Sequence, residues 1–141
     1  MGNLSDGSKT KEGYHLKENG TNGAKKWFIP DAYLPSSGLG EVHQGHEAIC
    51  VLNVTSFQAM LNISFFFSDR EPLENIIVTV GAKRCLHLRL DHPDEIAGIV
   101  LTRDVPYGIK IESDTHIIVQ YSRLDVTQPN YALMTTVPYF E

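Results

Sequence analysis

Apolar and polar residues alternate with a period of two through much of this chain, and this alternation constrains it to β-structure. From residue 57 to 67, and again from 84 to 90, every second side chain is apolar. Side chains of a strand point in turn to the two faces of a sheet, so each segment fits a strand with one buried face. Further apolar runs predict more strands, at Trp27, 47–54, 76–80, 109–112, 116–123 and 132–137.

Turn-forming residues separate these runs. Proline stands beside polar or small residues at 69–72, 91–94, 105–108 and 128–130. Short strands with such spacing predict an all-β fold, an antiparallel β-sandwich with at most one short helix. The helix candidate is 93–101, which opens on a proline followed by two acidic residues, as helices often do. Gly98 within it limits the expected helix to a turn or two.

The length of 141 residues suits one domain. Residues 1–24 are rich in Gly, Ser, Asn, Lys and Glu and have almost no large apolar side chains. Such a segment cannot bury enough surface to offset the entropy lost on ordering. We therefore predict a flexible N-terminal extension at 1–24 and a single β-sandwich domain at 25–141.

Charge and composition exclude several classes of protein. The formal net charge is -5, and the arginines alternate with acidic residues, so no nucleic-acid partner is expected. No apolar stretch is long enough for direct membrane insertion, and no signal-like core opens the chain. Cys50 and Cys85 each lie in an apolar run, and we predict two buried free thiols in a reducing cytoplasm. One bridge between neighbouring strands is the alternative.

Charged residues cluster at the ends of the apolar runs, and these clusters are the candidate site. If the ends of separate strands gather on one side of the fold, they would line a polar site on an apolar scaffold. Arginine can donate two parallel hydrogen bonds to a carboxylate, phosphate or diol, and carboxylates can accept from hydroxyls. The candidate ligand-binding residues are Tyr33, His46, Glu47, Asp69, Arg70, Glu71, His87, Arg89, Arg123 and Asp125.

Each cluster also has a plainer structural interpretation. His43 and His46 have a spacing that suits a metal only on a helix or turn, so a hydrogen-bonded pair of His46 with Glu47 is favoured. The loop at 69–71 fits an ordinary hairpin as well as a ligand site. The polar residues of 87–89 and 123–125 fit solvated strand faces with weak ion pairs. Arg123 and Asp125 also fit a charge pair buried at a subunit contact. We predict no metal and no cofactor.

The aromatic segment 27–35 has two interpretations. A ring beside a carboxylate can stack on a sugar or a base, whereas Trp27 is more typical of a residue that anchors a first strand in the core, with prolines ending that strand. No nucleophilic triad and no glycine-rich phosphate loop are present. Catalysis is therefore ranked below binding.

Five motifs, taken in order over about residues 26 to 140, resemble the soluble sensory rhodopsin transducer family. They are Trp27-x-Ile29-x-x-x-Tyr33-x-Pro35, His46-Glu47-x-x-Cys50-x-Leu52-Asn53, the run 66–72, Arg84-x-x-His87-x-Arg89, and Val119-Gln120-x-Ser122-Arg123-Leu124-Asp125. The resemblance implies a cytoplasmic β-sandwich that forms a homotetramer, in a family thought to bind small molecules such as sugars. One member relays a signal from a membrane photoreceptor. Ala32 departs from the family pattern, in which a glycine commonly precedes the tyrosine.

Three functions remain open on the sequence alone. The first is a non-enzymatic domain that binds a small polar, sugar-like ligand and acts as a cytoplasmic sensor or signal transducer. The second is a protein-interaction adaptor that relays a signal from a membrane receptor such as a sensory rhodopsin. The third is a carbohydrate-active hydrolase, because paired catalytic carboxylates have no diagnostic spacing in sequence.

Overall fold

A computed structural model describes residues 21–36 and 43–141 and shows an all-β fold, as predicted. The described residues form eight strands and one short 3-10 helix. The strands are β1 Ala24–Tyr33, β2 His46–Asn53, β3 Ala59–Phe66, β4 Leu73–Val80, β5 Arg84–Arg89, β6 Pro106–Asp125, β7 Ala132–Thr136 and β8 Tyr139–Phe140. Of the predicted N-terminal extension, residues 1–20 lie outside the described part of the chain. β1 begins within the rest of it, and its flexibility stays a prediction.

Two antiparallel sheets share the long strand β6. Its first half pairs with β1 and β3, and its second half pairs with β2 and β7. The order of strands is β4-β3-β6-β1-β8 in one sheet, and β5-β2-β6-β7 in the other. Because one strand changes partners along its length, the chain passes from one sheet to the other without a loop.

The prediction of two separate strands at 109–112 and 116–123 was wrong, because β6 runs unbroken through the polar residues between them. Those residues satisfy the backbone where the pairing changes. The Asp114 carboxylate accepts a hydrogen bond from the Met60 N–H at 2.9 Å. The Ser113 hydroxyl accepts one from the Thr115 N–H at 3.3 Å. Polar side chains that suggested a break therefore support the strand.

The inner faces of both sheets meet in one hydrophobic core. The alternating residues Leu61, Ile63 and Phe65 of β3 are buried in it, together with Leu88 of β5 and Val119 of β6. Burial of these faces stabilises the fold by about 25 cal/mol for each Å² of apolar surface removed from water. The predicted period-two alternation is confirmed in these strands, and the two sheets pack as a sandwich.

The helix candidate at 93–101 shortens to the 3-10 turn Pro93–Glu95. The backbone φ angles of Ala97 and Gly98 are 57° and 79°. This left-handed conformation ends a helix, and glycine adopts it without a steric penalty. The expectation of at most a turn or two is therefore confirmed.

Trp27 and Pro30 are two residues of β1 for which the sequence suggested a role. Trp27 is buried in the core and its Nε1 donates to the Ala24 carbonyl at 3.1 Å, which fits the anchoring role. Pro30 does not end the strand, because β1 continues to Tyr33 through an irregular register between Ile29 and Ala32.

Both cysteines are free as expected, but Cys50 is only half-buried and Cys85 is exposed, so the prediction of buried thiols was wrong.

Candidate functional site

A buried carboxylate lies at the start of β2. Glu47 has no exposed surface, which is rare for a charged side chain unless it is paired or hydrogen-bonded. Its Oε1 accepts a hydrogen bond from the Tyr107 hydroxyl, and its Oε2 accepts one from the Tyr121 hydroxyl. Oε2 also accepts from the Tyr33 backbone N–H at 2.8 Å. Three donors from β1 and β6 thus converge on one acid.

Arg123 supplies the opposite charge next to this acid. It faces Glu47 in the antiparallel pairing of β2 with β6. Its Nε and Nη2 donate to the Tyr121 hydroxyl at 3.3 and 3.2 Å, so this hydroxyl lies between the guanidinium and the carboxylate. The guanidinium also lies over the rings of Tyr33 and Tyr121, 5.5 and 5.8 Å from their centroids. We call Glu47, Tyr107, Tyr121 and Arg123 the Glu47 cluster.

The environment shifts the protonation equilibria of this cluster. Burial raises the pKa of Glu47, while the Tyr107 hydrogen bond, the Tyr33 N–H and the charge of Arg123 partly oppose that rise. Burial and the neighbouring Glu47 carboxylate raise the pKa of Tyr107 far above its ordinary value. Tyr107 therefore remains protonated and able to donate to Glu47.

A polar surface lies above the Glu47 cluster. The Tyr33 hydroxyl donates to the Asp104 Oδ1 at 2.7 Å, and the Arg123 Nη2 lies 3.6 Å from the Asp31 Oδ1. Hydrogen bonds, first from Ser36 and then from Tyr33, lower the pKa of Asp104. Hydrogen bonds from Thr127, with a smaller effect of Arg123, lower the pKa of Asp125. We call Asp31, Tyr33, Asp104, Arg123 and Asp125 the Tyr33 surface.

Arg103 fixes the chain on either side of residues 37–42. Its Nη1 donates to the Pro35 carbonyl at 2.5 Å and to the Gly45 carbonyl at 2.7 Å. A Cβ added at Gly45 would lie 2.6 Å from the Ser36 carbonyl oxygen, so only glycine fits this close approach. Together these contacts hold Pro35 and Ser36, which closely follow Tyr33, next to Gly45.

A family model for the Anabaena sensory rhodopsin transducer matches residues 22–140 of the chain. The chain belongs to this family. A comparison with curated protein sequences gave no significant match. Membership confirms the resemblance that the five motifs indicated.

Two solved structures resemble this member of the transducer family. One is the crystal structure of Thermotoga maritima 1070, with 38% sequence identity and a TM-score of 0.76, and the match covers 86% of this chain and 97% of that one. The other is the Anabaena sensory rhodopsin transducer, with 31% identity and a TM-score of 0.61, covering 70% of this chain and 86% of that one. Both therefore share the β-rich fold described above.

Three of the five motifs that indicated the transducer family meet in the Glu47 cluster and at its surface. Tyr33 comes from the first motif, Glu47 from the second, and Arg123 with Asp125 from the fifth. Of the candidate residues, these four are brought together. His46 is next to Glu47 in sequence, but its Nδ1 lies 3.0 Å from the Gln44 carbonyl oxygen in a hydrogen bond. It does not form the expected pair, because adjacent residues of a strand face opposite sides.

The remaining candidate residues lie apart from this cluster in the transducer-family fold. Asp69, Arg70 and Glu71 occupy the β3–β4 loop, where the Arg70 Nε donates to the Asp69 Oδ1 at 3.0 Å. His87 is exposed on the outer side of β5. Arg89 makes two hydrogen bonds of 2.7 and 2.8 Å to Asp91. These arginines are thus engaged by acids close to them in sequence.

Sequence reasoning missed residues that the site needs, above all Tyr107 and Tyr121. Tyr121 lies in the predicted strand 116–123, and Tyr107 lies in the turn-forming segment 105–108. A usable signal was present, because a tyrosine on a buried face usually needs a partner for its hydroxyl. Asp31, Arg103 and Asp104 were missed as well, and no pattern in the sequence marks them.

Residues 21–36 and 43–141 contain neither a metal-binding group nor a membrane-spanning helix. Within 21–36 and 43–141, no group of three or more His, Cys, Asp or Glu side chains is arranged to hold a metal ion. No helix in that part of the chain is long and apolar enough to cross a membrane.

Proposed function

We propose that this transducer-family domain is a non-enzymatic cytoplasmic sensor that binds a small polar, sugar-like ligand on the Tyr33 surface. The observation that carries the proposal is the combination found there: an aromatic ring, one guanidinium and three carboxylates around it. A ring offers an apolar face to a sugar, while carboxylates accept from its hydroxyls and arginine donates to its oxygens. No cofactor takes part in this proposal.

The protonation states favour binding over glycoside hydrolysis. A hydrolase needs a carboxylic acid with a raised pKa that faces the substrate. On the Tyr33 surface, Asp104 and Asp125 have lowered pKa values, so they stay ionised and can only accept. Glu47 has a raised pKa, but it is sealed from solvent and its oxygens already accept three hydrogen bonds. None of Glu47, Asp104 and Asp125 is therefore an accessible general acid of the kind that the hydrolase alternative needs.

Ligand contact at Tyr33 has a direct route into the core. The Tyr33 backbone N–H bonds to Glu47, and Glu47 bonds to two residues of β6. A shift of Tyr33 on binding would therefore change the hydrogen bonds that hold both sheets together. This route supports a role as a signal transducer as well as a binding domain.

The test is a thermal-shift screen of the full chain against neutral sugars, sugar acids and polyols. A true ligand at about 100 times its Kd stabilises the folded state by about 2.7 kcal/mol, which raises the melting temperature by several degrees. We expect Tyr33→Ala to abolish this shift, because the ring and hydroxyl are lost while the backbone N–H to Glu47 remains. Phe57→Ala is the control, since it removes an exposed ring from the β2–β3 loop, outside the Tyr33 surface. Equal ligand shifts in all three proteins would contradict the proposal.

A second proposal is protein interaction, and exposed apolar residues near the C-terminus support it. All residues of β7 and β8 are exposed. Large apolar side chains that lie open to solvent in one segment are typical of interaction sites. They are Leu133, Met134, Val137, Tyr139 and Phe140, which we call the C-terminal apolar segment.

We propose that this segment contributes to a homotetramer, and that the assembly can also present a docking face to a membrane receptor such as a sensory rhodopsin. Light scattering should give a mass of four times 15.8 kDa for the wild type. Leu133→Asp should lower that mass, because it places a charge in a desolvated contact. Thr127→Asp, at an exposed position outside the segment, should not. A monomeric wild type would contradict the tetramer.

A further inference from the structure

A small cleft lies between the β3–β4 loop and the loop that precedes β6, and its lining includes no residue of the Tyr33 surface. Its volume is about 150 Å³. The lining is mainly apolar, with one charged side chain among the lining residues. These residues are Phe67, Arg70, Leu73, Val100, Leu101, Thr102 and Val105.

Apolar residues of the lining are exposed to solvent. Val100 is 76% exposed and Leu73 is 38% exposed, while Leu101 forms a buried floor. Single exposed apolar residues are common, but here they line one concavity. An apolar group placed in the cleft would remove these side chains from water.

Arg70 is positioned at this cleft by two contacts. Its guanidinium lies over the Phe67 ring, 4.9 Å from the centroid, and its Nε and Nη2 bond to the Asp69 carboxylate at 3.0 and 3.4 Å. Arginine has five N–H donors, so these bonds leave other donors for a ligand. The preset guanidinium lowers the entropy cost of binding an anion.

We propose that this cleft binds a short aliphatic monocarboxylate, with its carboxylate on Arg70 and its hydrocarbon chain against Leu73 and Leu101. The volume of the cleft fits the hydrocarbon chain of such a ligand. A water-sized group takes about 30 Å³, so the cleft holds roughly five of them. The charge also fits, because Arg70 is the cation among the lining residues. A sugar would not suit this lining, since its hydroxyls would lose hydrogen bonds to water.

The cleft shares a wall with the Glu47 cluster. The Phe67 ring contacts the Tyr107 ring, with centroids 6.1 Å apart, and Tyr107 donates to Glu47. A ligand that moves Phe67 would therefore disturb the packing of Tyr107. The two sites use different surface residues, so this cleft can bind its ligand whether or not the Tyr33 surface binds a sugar.

The test is a titration of the isotope-labelled full chain with 4-methylpentanoate, followed by amide chemical shifts. We expect saturable shifts at residues 67–73, 100–102 and 105, which include no residue of the Tyr33 surface. The neutral 4-methylpentanamide should bind at least about tenfold more weakly, because it lacks the charge that strengthens a hydrogen bond to arginine. Acetate should also bind at least about tenfold more weakly, because it has almost no apolar chain to bury.

Two variants complete the test. Arg70→Gln should lower the affinity for 4-methylpentanoate at least about tenfold. Arg84→Gln removes an exposed arginine from β5 and should leave this affinity unchanged. Shifts that do not saturate, that centre elsewhere, or that survive Arg70→Gln unchanged would overturn the proposal. Failure of the sugar screen would leave this result intact, because the titration uses a different ligand and Arg70 lies outside the Tyr33 surface.

Discussion

Replacing Glu47 by alanine should lower the free energy of unfolding by about 3–5 kcal/mol, the cost of removing one partner from a buried charge network. The substitution leaves the hydroxyls of Tyr107 and Tyr121 and the N–H of Tyr33 without their acceptor. It also removes the buried acid next to Arg123, which keeps its ion pair with the exposed Asp31. Urea denaturation of both proteins measures the difference.

The control for this substitution is Glu71→Ala, which removes an exposed acid from the β3–β4 loop. Surface substitutions of this kind usually change stability by less than about 0.5 kcal/mol. If Glu47→Ala costs no more than Glu71→Ala, the hydrogen bonds to Glu47 do not stabilise the fold. The Glu47 cluster would then have no structural role.

The pH dependence of Glu47 can be isolated with Glu47→Gln, which keeps the shape but cannot ionise. The folded-state pKa of Glu47 is raised above the ordinary value of 4.5. Below that ordinary value both the folded and the unfolded states are protonated. As pH rises through the interval up to the raised pKa, the unfolded state ionises first, so the stability of the wild type falls.

The measured quantity is therefore the stability of the wild type minus that of Glu47→Gln across pH. We expect this difference to fall as pH rises above 4.5 and to level off beyond the raised pKa. Carboxyls with lowered pKa, such as Asp91 and Asp104, act in the opposite direction. Their contributions to the pH dependence are the same in both proteins and cancel in the difference. A difference that rises with pH would show that the folded state favours the ionised acid.

The fold could be predicted from the sequence where its cause is local. Alternation of apolar residues is set by the geometry of one strand, so β3 and β5 were predicted from their own residues. The continuity of β6 has a cause outside the strand, since Asp114 bonds to Met60 of β3. A polar residue in that position indicates a turn until its partner is known.

The residues of the candidate site also differ in whether their cause is local or lies in distant parts of the chain. Glu47 and Arg123 could be proposed because charges are unusual beside apolar runs. Tyr107 and Tyr121 could not, because only the pairing of distant strands aims their hydroxyls at Glu47. Arg70 and Arg89 were expected at the same site, but each is held by an acid one or two residues away. An ion pair with an acid nearby in sequence holds each arginine where it is, so it does not join the other candidate residues.

Asn53, the last residue of β2, gives the second large effect: Asn53→Ala should cost about 3 kcal/mol. Its side chain has no exposed surface, and its Nδ2 donates to the carbonyls of Phe57, Val80 and Gly81 at 2.7, 3.3 and 3.0 Å. Its Oδ1 accepts from the N–H and hydroxyl of Thr55 at 3.0 and 2.8 Å. Leaving buried groups unsatisfied costs about 1–3 kcal/mol each, and partial access of water reduces the sum.

Asn62→Ala is the matched control, because it makes the same change on β3. Among residues 21–36 and 43–141, the buried Asn62 Oδ1 meets no hydrogen-bond donor, so its removal relieves a desolvated acceptor instead of breaking bonds. We expect Asn62→Ala to change stability by less than about 1 kcal/mol. Equal losses in the two variants would mean that β-sheet propensity, and not the bonds of Asn53, sets the cost. A larger loss at Asn53 would show that this side chain ties the β2–β3 loop to the turn after β4.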